Sequence, residues 1–256
     1  MTTLEIESIP VLRDNYIHLA HDSASGATAA IDPAQAEPVL EKLASRGWTL
    51  SHILITHHHD DHTGGVADLR TRTGCRVIGS AREAARLPPL DEEVGEGATI
   101  RLGEWTISVI DTPGHTLGHI AYWLPEAAVL FPGDTLFSLG CGRLFEGSPE
   151  QMWESLKKLR ALPGEADVYC AHEYSLSNAA FARVIDPGND ALARRAAEIE
   201  HLRAEGRPTV PFRLDIDRAA NPFLRADDPA LKTAIGLPDA DPARVFAEIR
   251  KRKDVF

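Results

Sequence analysis

Six consecutive residues of this 256-residue chain, His57-His58-His59-Asp60-Asp61-His62, supply four imidazoles and two carboxylates. Imidazole nitrogen and carboxylate oxygen are the donors that borderline divalent metals prefer. The apolar run His52–Thr56 reads as a strand ending at Thr56. His57 and His59 then alternate off its end onto one side and can share a metal. Asp61 and His62 fall on a turn leading into a helix, within reach of a second metal, and Gly64-Gly65 lets the backbone turn tightly there. A solvated polar loop is the bland alternative. Four of the chain's 11 histidines within six residues argue against it, and the cluster's internal place behind an apolar strand argues against an affinity tag.

Three more donors follow apolar runs. His115 sits in the turn Asp111-Thr112-Pro113-Gly114-His115-Thr116 after Trp105–Ile110. Asp134 follows Phe131-Pro132-Gly133, where a carboxylate can bridge two cations, and His172 follows Val168-Tyr169-Cys170-Ala171. Singly, each is more often a turn or cap residue than a ligand. Together with the histidine cluster they fit the rule that α/β active sites collect at the carboxyl ends of strands.

The elements that must position these side chains are legible from apolar periodicity. Leu4–Ile9, Thr28–Ile31, His52–Thr56, Arg76–Ile78, Trp105–Ile110, His119–Leu124, Ala127–Phe131 and Asp167–Cys170 read as short strands bounded by turn residues. Ala36–Arg46, Val66–Thr73 and Pro149–Ala161 have helical spacing, with Ser148-Pro149-Glu150 a helix start and Gly47 a stop. Strands and helices alternate in one half and again in the other, an α/β or layered α+β body. After Glu173 almost nothing reads as strand; Asn178–Val184, Asp190–Glu205 and Pro242–Lys253 are helical, and prolines punctuate the connections. The expected organisation is a metal domain over residues 1–173 and a small all-α domain over 174–256.

A formal charge of −11 disfavours a nucleic-acid partner. Residues 1–14 lack the apolar run of a signal peptide, and no stretch approaches the roughly 20 apolar residues of a membrane span. Three cysteines, Cys75, Cys141 and Cys170, fit neither a disulfide framework nor a zinc ribbon. The expectation is a soluble cytoplasmic protein with free, buried or half-buried thiols.

The run His57-His58-His59-Asp60-Asp61-His62 resembles the H-x-H-x-D-H hallmark of the metallo-β-lactamase superfamily. Thr112-Pro113-Gly114-His115-Thr116, Gly133-Asp134-Thr135-Leu136-Phe137, Gly140-Cys141-Gly142-Arg143, His172-Glu173-Tyr174, Asn221-Pro222-Phe223-Leu224-Arg225 and Arg250-Lys251-Arg252-Lys253-Asp254 narrow the resemblance to hydroxyacylglutathione hydrolases (glyoxalase II). The matches run from about residue 10 nearly to the end of the chain.

That resemblance implies an αββα sandwich followed by an α-helical, glutathione-binding domain. It implies one metal on His57, His59 and His115, a second on Asp61, His62 and His172, and Asp134 bridging them. The ions would be zinc first, with iron or manganese as alternatives. The implied reaction is hydrolysis of S-(2-hydroxyacyl)glutathione, with S-D-lactoylglutathione giving glutathione and D-lactate. A hydroxide shared between the metals attacks the thioester, and this is the second step of methylglyoxal detoxification. Arg143, Phe145, Tyr174, Arg250 and Lys253 would contact the glutathione, a small-molecule partner, and the chain would be a monomer. Arg143 stands where the family commonly has lysine, and guanidinium can grip the glycine carboxylate bidentately. Without the resemblance, Arg250–Lys253 would read as a solvated basic helix end. Two departures are Phe145 in place of a frequent tyrosine and Asp60 in place of a frequent aromatic residue; Asp60 is expected to point away. His18, His21, His52 and His201 read as surface or packing residues, His58 as alternating away, and His119 as a support for a ligand. The competing readings within the fold are a lactonase and a mononuclear iron persulfide dioxygenase. A metal-binding protein without turnover is disfavoured, because seven ligands for two metals leave an open site.

Overall fold

The computed structural model describes residues 3–256. The chain forms two compact units, one running to Asp111 and taking in Leu117–Gly133, the other made of Thr112–Thr116 and Asp134–Phe256.

The first unit opens with β1 (Leu4–Val11), β2 (Asn15–Asp22) and β3 (Ala27–Ile31), then α1 (Ala36–Arg46) and β4 (Thr49–Leu54). A single-turn α2 (Asp60–Thr63), α3 (Val66–Thr73), β5 (Arg76–Ser80) and β6 (Glu92–Val94) follow, and then β7 (Thr99–Leu102), β8 (Trp105–Asp111), β9 (Ile120–Leu124) and β10 (Val129–Phe131). The first six strands make one sheet in chain order. It is antiparallel from β1 to β3 and parallel from β3 to β6. Strands β7 to β10 pair antiparallel in sequence. Helix α1 buries Val39 and Leu43, one turn apart, into a core with Ile17, Leu19, Ile53, Leu69 and Val77. Gly47 and Gly74 end α1 and α3 at φ 67° and 70°, where a Cβ would be strained.

The second unit contains the hairpin β11 (Leu136–Phe137) and β12 (Gly140–Cys141), then α4 (Pro149–Arg160), β13 (Asp167–Val168), α5 (Ser175–Ile185) and α6 (Asp190–Ala204). It ends with β14 (Phe212–Arg213), α7 (Leu214–Ala220), a 3-10 turn at Pro222–Leu224, α8 (Pro229–Ala234) and α9 (Pro242–Asp254). A capping box of Ser148 and Gln151, with Pro149 in the first turn, starts α4 where the sequence predicts. Asp241 accepts from the Arg244 N–H to cap α9, whose Phe246 packs on Trp153 and Phe223. Among the described residues, no helix is long and apolar enough to cross a membrane.

Two local expectations need correction. The strand before the histidine cluster ends at Leu54, not Thr56, because the Thr56 N–H and hydroxyl both turn to the Asp32 carboxylate at 2.8 and 2.7 Å. Residues 167–170 yield only a two-residue strand, and its partner β14 lies in the stretch expected to hold almost no strand. Gly64 and Gly65 sit at the turn expected of them, and close backbone approach is what requires glycine at both. Their φ values are −58° and −89°, but a Cβ would lie 2.7 Å from the Ala34 oxygen and 2.6 Å from the Gln35 carbonyl carbon, respectively.

Candidate metal centre

In the first unit the donors are set by Asp32, which follows β3. Its carboxylate holds Thr56 and also accepts from His62 Nδ1 at 3.1 Å, all three residues being buried. An ionised carboxylate only accepts, so the His62 proton sits on Nδ1 and the Nε2 lone pair faces away from Asp32. That Nε2 lies 3.5 Å from Asp61 Oδ2, which also accepts from Asn15 Nδ2 at 3.0 Å. His57 is fully buried, with its Nε2 3.0 Å from His59 Nδ1 and its ring 4.1 Å from that of His62. Donor atoms of Asp32, His57 and His62 lie within 4.8 Å of one another. His119 is buried and stacks on His57 at 4.9 Å. His58 turns to Glu83, which accepts from both its backbone N–H and its ring Nδ1 at 2.8 Å, while Asp60 is exposed.

In the second unit the carboxylate of Asp134 stands between two histidines. His115 Nε2 is 3.5 Å from Oδ2 and His172 Nε2 is 3.4 Å from Oδ1, and all three residues are buried. His115 Nδ1 donates to the Arg143 carbonyl at 2.9 Å. A carbonyl cannot donate, so here too the Nε2 lone pair is turned toward a carboxylate oxygen. A lone pair opposite an anionic oxygen is repulsive unless a cation or proton stands between them. Among the described residues, His62 with Asp61 and His115 with Asp134 show this arrangement. Every donor is nitrogen or oxygen, the set suited to a divalent metal.

The expected substrate residues lie in the second unit. Phe145 is 61% exposed with its ring 5.1 Å from His115. Tyr174 stacks on His172 at 4.7 Å and 3°. Arg143 is exposed. Arg250 is buried, donating to the Cys141 carbonyl at 2.9 Å and to Asp254. Lys253 donates to the Ser177 carbonyl at 3.0 Å and hydroxyl at 2.9 Å. Burial, then Arg250 and Arg143, push its pKa down to about 8. The cysteines are all free and buried, as expected. Burial raises Cys141 to about 11 and Cys170 further, so neither offers a thiolate near neutral pH.

Sequence reasoning missed Asp32 and Glu83. Asp32-Pro33 at a strand end was an available signal for the first. Glu83 lies in an ordinary Arg-Glu-Ala run and only its burial distinguishes it.

Residues 22–172 match the metallo-β-lactamase superfamily, and residues 173–256 match the hydroxyacylglutathione hydrolase C-terminus. A hydroxyacylglutathione hydrolase of Methylococcus capsulatus is 56% identical over 253 residues, covering 99% of both chains. One of Rhodospirillum rubrum is 56% identical over 256 residues, covering 100% of both. The chain belongs to the hydroxyacylglutathione hydrolase family. The crystal structure of ETHE1 from Myxococcus xanthus is similar with a TM-score of 0.60 and 29% identity, over 86% of this chain and 96% of that one. This hydroxyacylglutathione hydrolase family member thus has the metallo-β-lactamase fold with a helical C-terminal region, as expected from its sequence. The fold and its His/Asp clusters support binding of divalent metal ions.

Proposed function

We propose that the chain hydrolyses S-(2-hydroxyacyl)glutathione to glutathione and a 2-hydroxy acid, D-lactate where the acyl group is D-lactoyl, in methylglyoxal detoxification. The observation that carries the metal-dependent part is the approach of an imidazole Nε2 to a carboxylate oxygen at 3.5 Å, His62 to Asp61 and His115 to Asp134, while each ring's Nδ1 is held elsewhere. The substrate class rests on full-length relatives bearing the hydrolase name and on the matching C-terminal region.

In this reading residues 1–173 form the metal domain and residues 174–256 bind glutathione. His57, His59 and His115 would hold one divalent ion, Asp61, His62 and His172 a second, and Asp134 would bridge; zinc is the first candidate. Bound there, such ions supply water acidified to near neutral pH and polarisation of a carbonyl oxygen. The protein's own part is to fix the donors. Asp32 sets the tautomer and direction of the His62 ring, and the Arg143 carbonyl does the same for His115. Tyr174 restrains the plane of His172 by stacking. Arg143 and Lys253 supply positive charge for the glycine carboxylate. Arg250 adds charge from a buried place, and Phe145 offers an apolar face to the acyl or peptide part. The chain would act as a cytoplasmic monomer.

The lactonase and persulfide dioxygenase readings are not favoured by the full-length relatives. Initial rates on S-D-lactoylglutathione, a lactone and glutathione persulfide under oxygen separate them. The reading requires rapid thiol release from the thioester. Fast lactone opening, or oxygen uptake with persulfide, in the absence of thioester cleavage would overturn it.

A further inference from the structure

The hairpin β11–β12 separates two residues of the proposed site. Asp134 lies two positions before Leu136, and Arg143 lies two positions after Cys141. The base of the hairpin continues its pairing as the Gly142 N–H reaches the Thr135 carbonyl at 3.4 Å. The Arg143 carbonyl then accepts the hydrogen bond from His115 Nδ1. Where the hairpin stands therefore decides where Asp134 and Arg143 stand and how the His115 ring is turned.

The hairpin's own pairing is short, Leu136 with Cys141 and Phe137 with Gly140. Its tip residue Leu139 has φ of 57°, a left-handed conformation that a leucine avoids unless its surroundings impose it. Those surroundings are a buried polar network reaching in from α5, α6 and α7. Asp217 on α7 accepts from the Leu139 N–H, at 3.0 Å to Oδ2 and 3.3 Å to Oδ1, and from the Ser138 hydroxyl at 3.4 Å. It also accepts from Asn221 Nδ2 at 2.8 Å, and that amide reaches the Gly140 and Phe137 carbonyls at 3.0 and 3.3 Å. Arg195 on α6 donates to the Ser138 hydroxyl at 3.1 Å and to the Thr209 carbonyl at 3.2 Å. Asn178 on α5 donates to the Ser138 carbonyl at 3.1 Å. Asp217 and Asn221 are fully buried and Arg195 is 4% exposed. Around them Leu139 packs with Ala179, Ala182, Leu192, Ala196, Ile199 and Ala220. A well-packed apolar tip would be the cheaper way to seat a hairpin, so a buried carboxylate and guanidinium here call for a role in specifying its position.

We infer that Asp217 and Arg195 are positioning residues for the reaction, acting through the Ser138–Leu139 tip to hold Asp134 and the Arg143 carbonyl in place. The inference rests on the proposed hydrolase reading. It assigns the helical region a second duty beyond binding the substrate, that of setting the donors of the metal centre.

The test uses the full chain with Asp217→Ala and Asp217→Asn. Folding is checked by circular dichroism, zinc retention by competition with a chelator, and kcat and KM by thiol release from S-D-lactoylglutathione. Alanine removes the acceptor for Leu139. Asparagine keeps an acceptor of the same shape but removes the negative charge, which Arg195 favours electrostatically while its own ion pair is with Glu198 at 2.8 Å. The expected result is a fall of about 10–100-fold in zinc affinity or kcat for folded Asp217→Ala, as for other residues that orient a metal ligand. Asp217→Asn should lie between that variant and the parent. A merely structural role would lower the melting temperature and leave kcat and zinc retention of the folded fraction unchanged. Should the alanine variant not fold, the asparagine variant decides: kcat and zinc retention both within about twofold of the parent would overturn the inference. If the parent itself fails to cleave the thioester, the hydrolase reading fails first. Altered zinc retention in the variants would then still uphold the link between hairpin and donors.

Discussion

Lys253 offers a test whose size follows from its surroundings. Its ammonium lies 5.2 and 5.4 Å from the rings of Phe181 and Phe256 and donates to Ser177. Burial comes first among the causes that bring its pKa from 10.5 to about 8, followed by Arg250 and Arg143. Titration about such a value leaves roughly 90% of the lysine charged at pH 7 and roughly 10% at pH 9. If the charged form captures the glycine carboxylate, its contribution to kcat/KM, which reports the free enzyme, falls about tenfold over that interval. The assay is thiol release at low S-D-lactoylglutathione, from pH 6.5 to 9.5, for the parent and for Lys253→Met. The ratio of the two profiles isolates this group from others that titrate. The ratio should be largest below pH 8 and approach unity above pH 9, with kcat nearly equal throughout. A glutathione thioester esterified at glycine should show no such convergence. Superimposable profiles, or the same fall with the ester, would refute the role of Lys253. The stability sign is opposite. The unfolded chain binds the extra proton between pH 8 and 10.5, so stability tied to Lys253 is present above that window and is lost as pH falls through it.

Other perturbations read out the metal loop and its scaffold. His59→Ala is expected to abolish turnover and lower metal content per folded chain, and retention of both would remove it from the ligand set. Gly65→Ala forces a Cβ to 2.6 Å from the Gln35 backbone and is expected to cost about 1–3 kcal/mol, seen as a lower urea midpoint at unchanged slope. Glu83→Ala removes the acceptor for the His58 N–H and, at 3.1 Å, the Gly118 N–H. Leaving such buried donors unsatisfied costs about 1–3 kcal/mol each, and an unchanged unfolding midpoint would show that water replaces the carboxylate.

How much was legible depended on whether the determinant was local. Helices α1 and α3 have the bounds the sequence predicts, because glycines in left-handed caps write their ends into the chain. The His57–His62 run announces metal chemistry by density alone. Strand β2 was missed because Asn15, His18, His21 and Asp22 break its apolar alternation, yet all eight of its residues are buried. Its histidines are satisfied across the sheet by Ser8 and Thr28 at 2.9 Å, partners that no window along β2 contains. The short helices α7 and α8 were hidden among prolines and owe their ends to tertiary packing and to the Asp228 cap. Asp32, Glu83 and Asp217 are ordinary acids in the sequence; burial beside a specific donor gives each its place, and only the folded chain supplies that burial.

The most direct test of the account measures two quantities on one preparation: metal ions per chain and thiol release from S-D-lactoylglutathione, before chelation, after it and after zinc is restored. About two ions per chain are expected, with hydrolysis lost on their removal and regained on their return. Hydrolysis that persists in metal-free protein, or two bound ions with no thioester cleavage, would contradict the account.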